Sequence, residues 1–336
     1  METIDLRAGS LTDAFARRID YLRISVTDKC NLRCIYCMPA QGLPWIEREQ
    51  LLSFEEIERL VRIFAGLGVG KIRLSGGEPL VRRDLHRLVA MIRAIDGIEE
   101  IALSTNGLLL AEQLPALVAA GLTRVNVSLD TLRAERFEAL ARRPGLALVL
   151  SGIDAAVRAG LTPVKINCVT MRGRNDDEIE AFARYARERE VAVRFIELMP
   201  VRENLEIAAE AYIGAEEILE RISAMESLHP IAGPRGNGPA RYYGFASGGG
   251  SIGVISPLSH DYCERCNRVR LTADGRLRLC LFGDQHLDLR TPLRAGATTG
   301  DLATMLRAAM TIKPERHHLR LGEASSRMRA FSEIGG

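Results

Sequence analysis

From about residue 20 to 200, short apolar runs alternate with longer segments of helical spacing. The runs are YLRISVT (21–27), KIRLSG (71–76), IEEIALST (98–105), TRVNVSL (123–129), PVKINCVT (163–170) and VAVRFIEL (191–198). Each is short and rich in β-branched or apolar residues, which predicts six strands. Between most of them, apolar positions recur at three- and four-residue intervals. Ser53 followed by Phe54, Glu55 and Glu56 reads as a capping box opening a helix over IERLVRIFAGLG. NDDEIEAFARYARERE follows Asn175 in the same way, and Gly68, Gly121 and Gly160 punctuate helix ends. Alternating strands and helices imply a parallel sheet with helices outside it, here six strands curved into an open barrel. A doubly wound sheet satisfies the same pattern, and the pattern alone does not choose.

After Pro200 the rhythm changes. A helix-like stretch from Glu216 to Met225 leads into GPRGNGPARYYGFASGGGSIG, whose glycines and prolines predict turns and short strands. A cysteine-bearing section and a final helix near 300–310 follow. The boundary falls near 200–225, giving units of 1–215 and 216–336.

Composition adds exclusions. No stretch of about 18 apolar residues exists to span a membrane, and the N-terminus lacks an apolar signal-peptide core. These features predict a cytoplasmic protein with no membrane partner. A net charge of +2 gives no global reason to bind nucleic acid, so any basic function is local. Seven cysteines in a reducing compartment are not expected to form disulfides, so their spacing matters.

Cys30, Cys34 and Cys37 stand as C-x3-C-x2-C in the loop after the first predicted strand. Three such thiolates wrap one side of a metal centre without closing it. A structural zinc asks for four protein ligands, and no His lies nearby. Thiolates also suit iron–sulfur clusters, and three on a four-iron cube leave one iron open. Cys263, Cys266 and Cys280 form C-x2-C-x13-C, again three. With His260 and His286 close in sequence, a Cys3His zinc site stays open there on spacing alone. Cys168, in KINCVT, has no cysteine at local spacing and reads as core.

CNLRCIYC, with Tyr36 just before the third cysteine, resembles the cluster loop of the radical S-adenosylmethionine (SAM) superfamily, and Gly76-Gly77-Glu78-Pro79 resembles its GGEP motif. The segment CERCNRVRLTADGRLRLCLF closely resembles the C-terminal cluster motif of the GTP 3′,8-cyclase family, a match that extends from RRIDYLRISVTDKC to the terminal Gly-Gly. The resemblance implies an α/β fold: an incomplete (β/α)6 radical SAM barrel with a smaller C-terminal α+β domain carrying a second cluster. It implies a [4Fe–4S] cluster on Cys30, Cys34 and Cys37 that cleaves SAM to a 5′-deoxyadenosyl radical. Tyr36, Gly77, Ser128 and Met199 would contact SAM, and a second [4Fe–4S] cluster on Cys263, Cys266 and Cys280 would face the purine of GTP. By the same resemblance Gly335 and Gly336 enter the active site.

Basic residues sit where parallel strands should be apolar. Four of the predicted strands supply the candidates: Arg23, the pair Lys71 and Arg73, Lys165, and Arg194, with Arg268 and Arg270 as a further same-face pair. An unpaired buried cation costs several kcal/mol, roughly. If the strands close into a barrel, these residues converge on one cavity, with Glu78 and Glu197 the only acidic residues comparably placed. Such a cavity suits a polyanion, and no G-x4-G-K-[ST] loop supplies another phosphate site. The resemblance assigns these positions and Ser104 to GTP. It also implies hydrogen abstraction at C3′ of GTP and attack on C8, with Arg270 as a candidate catalytic group. A flavodoxin- or ferredoxin-type electron donor and delivery to cyclic pyranopterin monophosphate synthase follow from it, with homodimerisation open. The alternatives are a radical SAM peptide-modifying enzyme and a non-catalytic metal-binding protein.

Overall fold

The structure is a computed structural model that describes residues 10–234, 238–323 and 331. All six predicted strands form: β1 (Tyr21–Ser25), β2 (Lys71–Ser75), β3 (Glu100–Thr105), β4 (Arg124–Ser128), β5 (Lys165–Thr170) and β6 (Ala192–Glu197). The helices between them are α1 (Phe54–Gly66), α2 (Leu85–Arg93), α3 (Leu110–Ala119), α4 (Ala134–Ala141), α5 (Leu146–Arg158) and α6 (Ile179–Arg189). Beyond β6 come α7 (Leu205–Glu210), α8 (Ala215–Met225), β7 (Leu228–Ile231), β8 (Arg241–Phe245) and β9 (Ser251–Ile255). Then follow β10 (Arg268–Leu271), β11 (Arg276–Arg278), β12 (His286–Asp288), α9 (Arg290–Arg294) and α10 (Thr299–Thr311).

Strands β1 to β6 are parallel and lie side by side in chain order. A doubly wound sheet would reverse its strand order at a switch point; this one never does, which decides for the incomplete barrel. The later strands extend both edges of the same sheet. β10 pairs parallel with β1, and β9 pairs parallel with β6; the antiparallel strands β11–β12 and β8–β7 lie outside them.

Period-two alternation gives each strand two different faces. Leu22 and Ile24, Ile72 and Leu74, Val125 and Val127, and Val193 and Phe195 are buried in the apolar core on the helix side. Phe195 meets Phe182 of α6 edge to face at 6.2 Å. Each such side chain contributes roughly 1.5–3 kcal/mol on burial. The opposite face carries Tyr21, Arg23, Ser25, Arg73, Asn126 and Arg194, and it makes the site.

Helix α1 opens as expected, with Ser53 Oγ accepting from the Glu56 amide at 3.1 Å and Glu56 Oε2 from the Ser53 amide at 2.8 Å. Asn175 departs from expectation. Its Oδ1 accepts from the Met171 amide at 2.7 Å, and a 3-10 turn at Asp176–Glu178 precedes α6, so it ties down the loop after β5 rather than capping the helix.

Candidate active site

The first cysteine loop crosses the C-terminal ends of the strands, where (β/α) barrels place their chemistry. It lies so close to the β2 turn that a Cβ on Gly76 would meet Thr27 O at 2.4 Å, and one on Gly77 would meet Asp28 O at 2.3 Å. The amides of Gly77 and Glu78 donate to Thr27 O and Lys29 O, both at 2.8 Å. Glu78 itself is buried, accepting from the Leu80 and Asn106 amides and from Thr105 Oγ1; burial lifts its carboxyl to about 7. Cys30 Sγ accepts from the Leu32 amide at 3.4 Å, with Asn106 Nδ2 at 3.9 Å.

Burial pushes the Cys30 thiol up to about 11. It drives Cys34 well above the ordinary range, helped by Cys37, Asp130 and Cys30. Half-buried thiols brought to one cavity without a disulfide are the donor set that metal coordination deprotonates. The three cysteines line one cavity, and Tyr36, Gly77, Ser128 and Met199 line it with them. The Tyr36 hydroxyl donates to Asp130 Oδ2 at 2.8 Å, and Asp130 Oδ1 accepts from the Val169 amide, also at 2.8 Å. Burial raises Asp130 to about 6. Cys168 is core, as expected.

Strand register builds the basic wall. Arg73, Arg23 and Arg270 are direct neighbours across β2, β1 and β10, and Tyr21 and Arg268 are neighbours one residue pair earlier. Arg23, Arg73, Arg194, Arg268, Arg270 and Ser104 all line the cavity, which measures ≈ 270 Å³. Two expected residues stand outside its lining. Lys71, at the N-terminal rim, turns to Asp20 at 3.3 Å. Lys165 is buried behind the wall, its Nζ 3.3 Å from Pro234 O and 5.5 Å from the centre of the Tyr242 ring. On β9, Gly253 leaves room for Arg194, whose Cγ would lie 2.9 Å from an added Cβ.

The arginines depress one another. Arg23 is held well below its ordinary value by burial and then by Arg270; Arg270 falls to about 10 through burial and then Arg268. Lys165 falls to about 6 through burial, then Arg124, Arg194 and Arg73. Tyr21 is lowered although burial alone would raise it, because Arg73 and Arg23 attract its phenolate. Glu197 lines the same cavity, its carboxylate held by the Leu258 and Ser259 amides and the Tyr212 hydroxyl.

Some site residues went unnoticed in the sequence. Arg124 pairs with Glu100 at 2.6 Å. Asn167 accepts from Arg194, and the buried Asn126 Oδ1 has no hydrogen-bond partner among the described residues. Both asparagines line the cavity. Their signal was present: each sits on the polar face of its strand at period two from a neighbouring polar or basic position.

The second cysteine triplet is assembled by a hairpin. Cys263 opens a 3-10 turn, Cys266 precedes β10, and antiparallel pairing of β10 with β11 returns the chain so that Cys280 joins them. Burial raises Cys263, with Asp261, Cys280 and Cys266 adding to it. Cys266 behaves differently: burial alone would raise it, but Lys313 and Arg268 pull it below the usual thiol value. The three cysteines do not line the cavity; Tyr262, Arg268, Arg270 and Leu281 beside them do. His260 pairs with Glu216 at 3.1 Å, and His286 Nδ1 lies 3.0 Å from Asp284 O. Among the described residues, no group of three His, Cys, Asp or Glu side chains is arranged to hold a single metal ion. A three-thiolate iron–sulfur cluster, which is larger, fits this donor set.

Arg17, absent from the sequence reading, ties this region together. Its guanidinium donates to the carbonyls of Cys263 (2.8 Å), Pro314 (2.6 Å) and Glu315 (2.6 Å), while its Nε donates to Asp13 at 2.6 Å. Gly335 and Gly336 lie outside the described residues. Phe331 is buried against Val201, packs with Cys37, Met199 and Leu281, and lines the cavity.

Residues 24–186 match the family model for the radical SAM superfamily, and residues 191–319 match the model for molybdenum cofactor synthesis C. A GTP 3′,8-cyclase of Moorella thermoacetica is 50% identical over 326 residues, 97% of this chain and 100% of its own length. One from Pelotomaculum thermopropionicum is 49% identical over 327 residues, with the same coverage. Among solved structures, Streptococcus suis SuiB bound to S-adenosylmethionine superposes with a TM-score of 0.54. At 14% identity, over 85% of this chain and 68% of that one, it speaks to the fold alone. No described helix is long and apolar enough to cross a membrane.

Proposed function

Because the chain belongs to the GTP 3′,8-cyclase family of radical SAM enzymes, we propose a division of labour among its residues on that premise. The enzyme converts GTP to 3′,8-cyclo-7,8-dihydro-GTP, the first step of molybdenum cofactor biosynthesis, using two [4Fe–4S] clusters and SAM. A peptide-modifying enzyme and a non-catalytic metal protein are not favoured.

Cys30, Cys34 and Cys37 would hold the cluster that, when bound, supplies the electron for SAM cleavage and so the radical that takes the C3′ hydrogen. Tyr36, Gly77, Ser128 and Met199 bind SAM over it. Cys263, Cys266 and Cys280 would hold the second cluster against the purine. Arg23, Arg73, Arg194, Arg268 and Arg270 neutralise the triphosphate, with Ser104 beside them and Lys71 and Lys165 contributing from behind. Arg270, facing Arg23 across the strand pair, also steadies charge near the reacting ribose. Gly335 and Gly336, which lie outside the described residues, would enter the active site as the family resemblance implies.

The observation that carries this reading is the row of guanidinium groups on β2, β1 and β10, between the two cysteine triplets. Phosphates held there and a purine held at the second triplet leave the ribose facing SAM, and a shift of about 1 Å costs on the order of a hundredfold in rate. We assign 1–215 to the barrel and 216–336 to the cluster- and substrate-binding part. A flavodoxin- or ferredoxin-type donor supplies electrons, and the product passes to cyclic pyranopterin monophosphate synthase in the cytoplasm. GTP deuterated only at C3′ should transfer deuterium into 5′-deoxyadenosine, while label at C2′ or C4′ should stay. Label arriving from either of those carbons would overturn the mechanism.

A further inference from the structure

Helix α10 ends at Thr311, and the chain leaving it runs across the second cysteine triplet. Lys313 is 3% exposed. Its ammonium lies 3.6 Å from Cys266 Sγ and donates to the carbonyl of Leu279, the residue before Cys280. No carboxylate of the described residues comes within 4.0 Å of it. A buried ammonium needs an anionic partner, and a single carbonyl does not supply one. The thiolate of a cluster ligand does. Four residues on, the His317 amide donates to Cys263. Arg17 holds the intervening carbonyls of Pro314 and Glu315 while also bonding the Cys263 carbonyl. The segment from Lys313 to His317 therefore touches two of the three ligands and the carbonyl preceding the third.

We propose that Lys313 is a positioning residue that sets the reduction potential of the second cluster and fixes Cys266 and Cys280 relative to one another. This rests on the two-cluster reading above. A positive charge and an N–H···S hydrogen bond both stabilise the electron-richer state of an iron–sulfur centre, so each raises its potential. At the first triplet, Cys30 receives the Leu32 amide and the Asn106 amide group, both neutral, and the one cation acting on its thiolate, Arg33, donates to the Cys30 carbonyl instead of the sulfur.

The test uses the full chain, reconstituted anaerobically, with both clusters followed by electron paramagnetic resonance during redox titration. Lys313→Met removes charge and donor, Lys313→Gln keeps a donor without charge, and Lys313→Arg keeps both. The Met variant should shift the second cluster to a more negative potential and leave the first unchanged. Gln should fall between, and Arg should return toward the unaltered value. If Met loses the second cluster but keeps the first, the positioning role is supported and the potential is read from Gln. An unchanged second-cluster potential in either neutral variant, or equal shifts of both clusters, would overturn the proposal. An unaltered chain that binds only about four irons would instead fail the two-cluster reading.

Discussion

Lys165 sits behind the arginine wall with its proton affinity cut to about 6 by burial and by Arg124, Arg194 and Arg73. The sign follows from the unfolded value of 10.5: between that and about 6 the unfolded chain holds the proton more tightly, so this residue weakens folding as pH falls through the window. A polyanion in the cavity reverses the balance by drawing the proton back. At about pH 8, where the terminal phosphate (second pKa roughly 6) is fully ionised, GTP binding should take up protons. Calorimetry in two buffers of different ionisation enthalpy should detect the uptake, and Lys165→Met should reduce it. If uptake is absent from the unaltered chain, Lys165 does not respond to the phosphates. The type and face of this residue were legible in the sequence, from a lysine in an apolar strand. Its distance from the cavity was not, because Tyr242 and Pro234 arrive from a segment some 70 residues away.

At the scale of elements, the turn after β2 and the loop after β1 act as one piece, joined where side chains would not fit. An alanine at Gly77 would place its methyl 2.3 Å from Asp28 O and 2.5 Å from Lys29 O, both rigid backbone. The cysteine loop must then move. Gly77→Ala should bind about four irons instead of about eight after anaerobic reconstitution, with the second cluster's spectrum unchanged; a full iron load would show that the loop tolerates the displacement. The six strands were legible because each is a short apolar run bounded by turn residues. The role of Asn175 was not, because an Asx side chain serves a loop amide as readily as a helix end. The tilt of Lys313 and Arg17 toward the second triplet left no trace either. Both lie in segments without period, and most of their partners are carbonyls, which have no residue identity to read.

In the whole molecule, the C-terminal part completes the sheet of the N-terminal part at both edges, through β10 on β1 and β9 on β6. A fragment of residues 1–215 would expose both edges, which are templates for aggregation. It should precipitate or bind a hydrophobic dye, and the full chain should unfold in one calorimetric transition; a soluble, folded fragment would contradict this. Long-range pairing of this kind was beyond reach of local pattern, since β9 and β10 look like ordinary short strands. Arg17 adds a consequence in time. Its bonds to Cys263, Pro314 and Glu315 join the start of the chain to a region near its end. On the ribosome, Cys30, Cys34 and Cys37 emerge early, but the cradle around Cys263 and Cys266 is not complete until residue 315 has been made. The two iron sites of one polypeptide therefore have different birthdays.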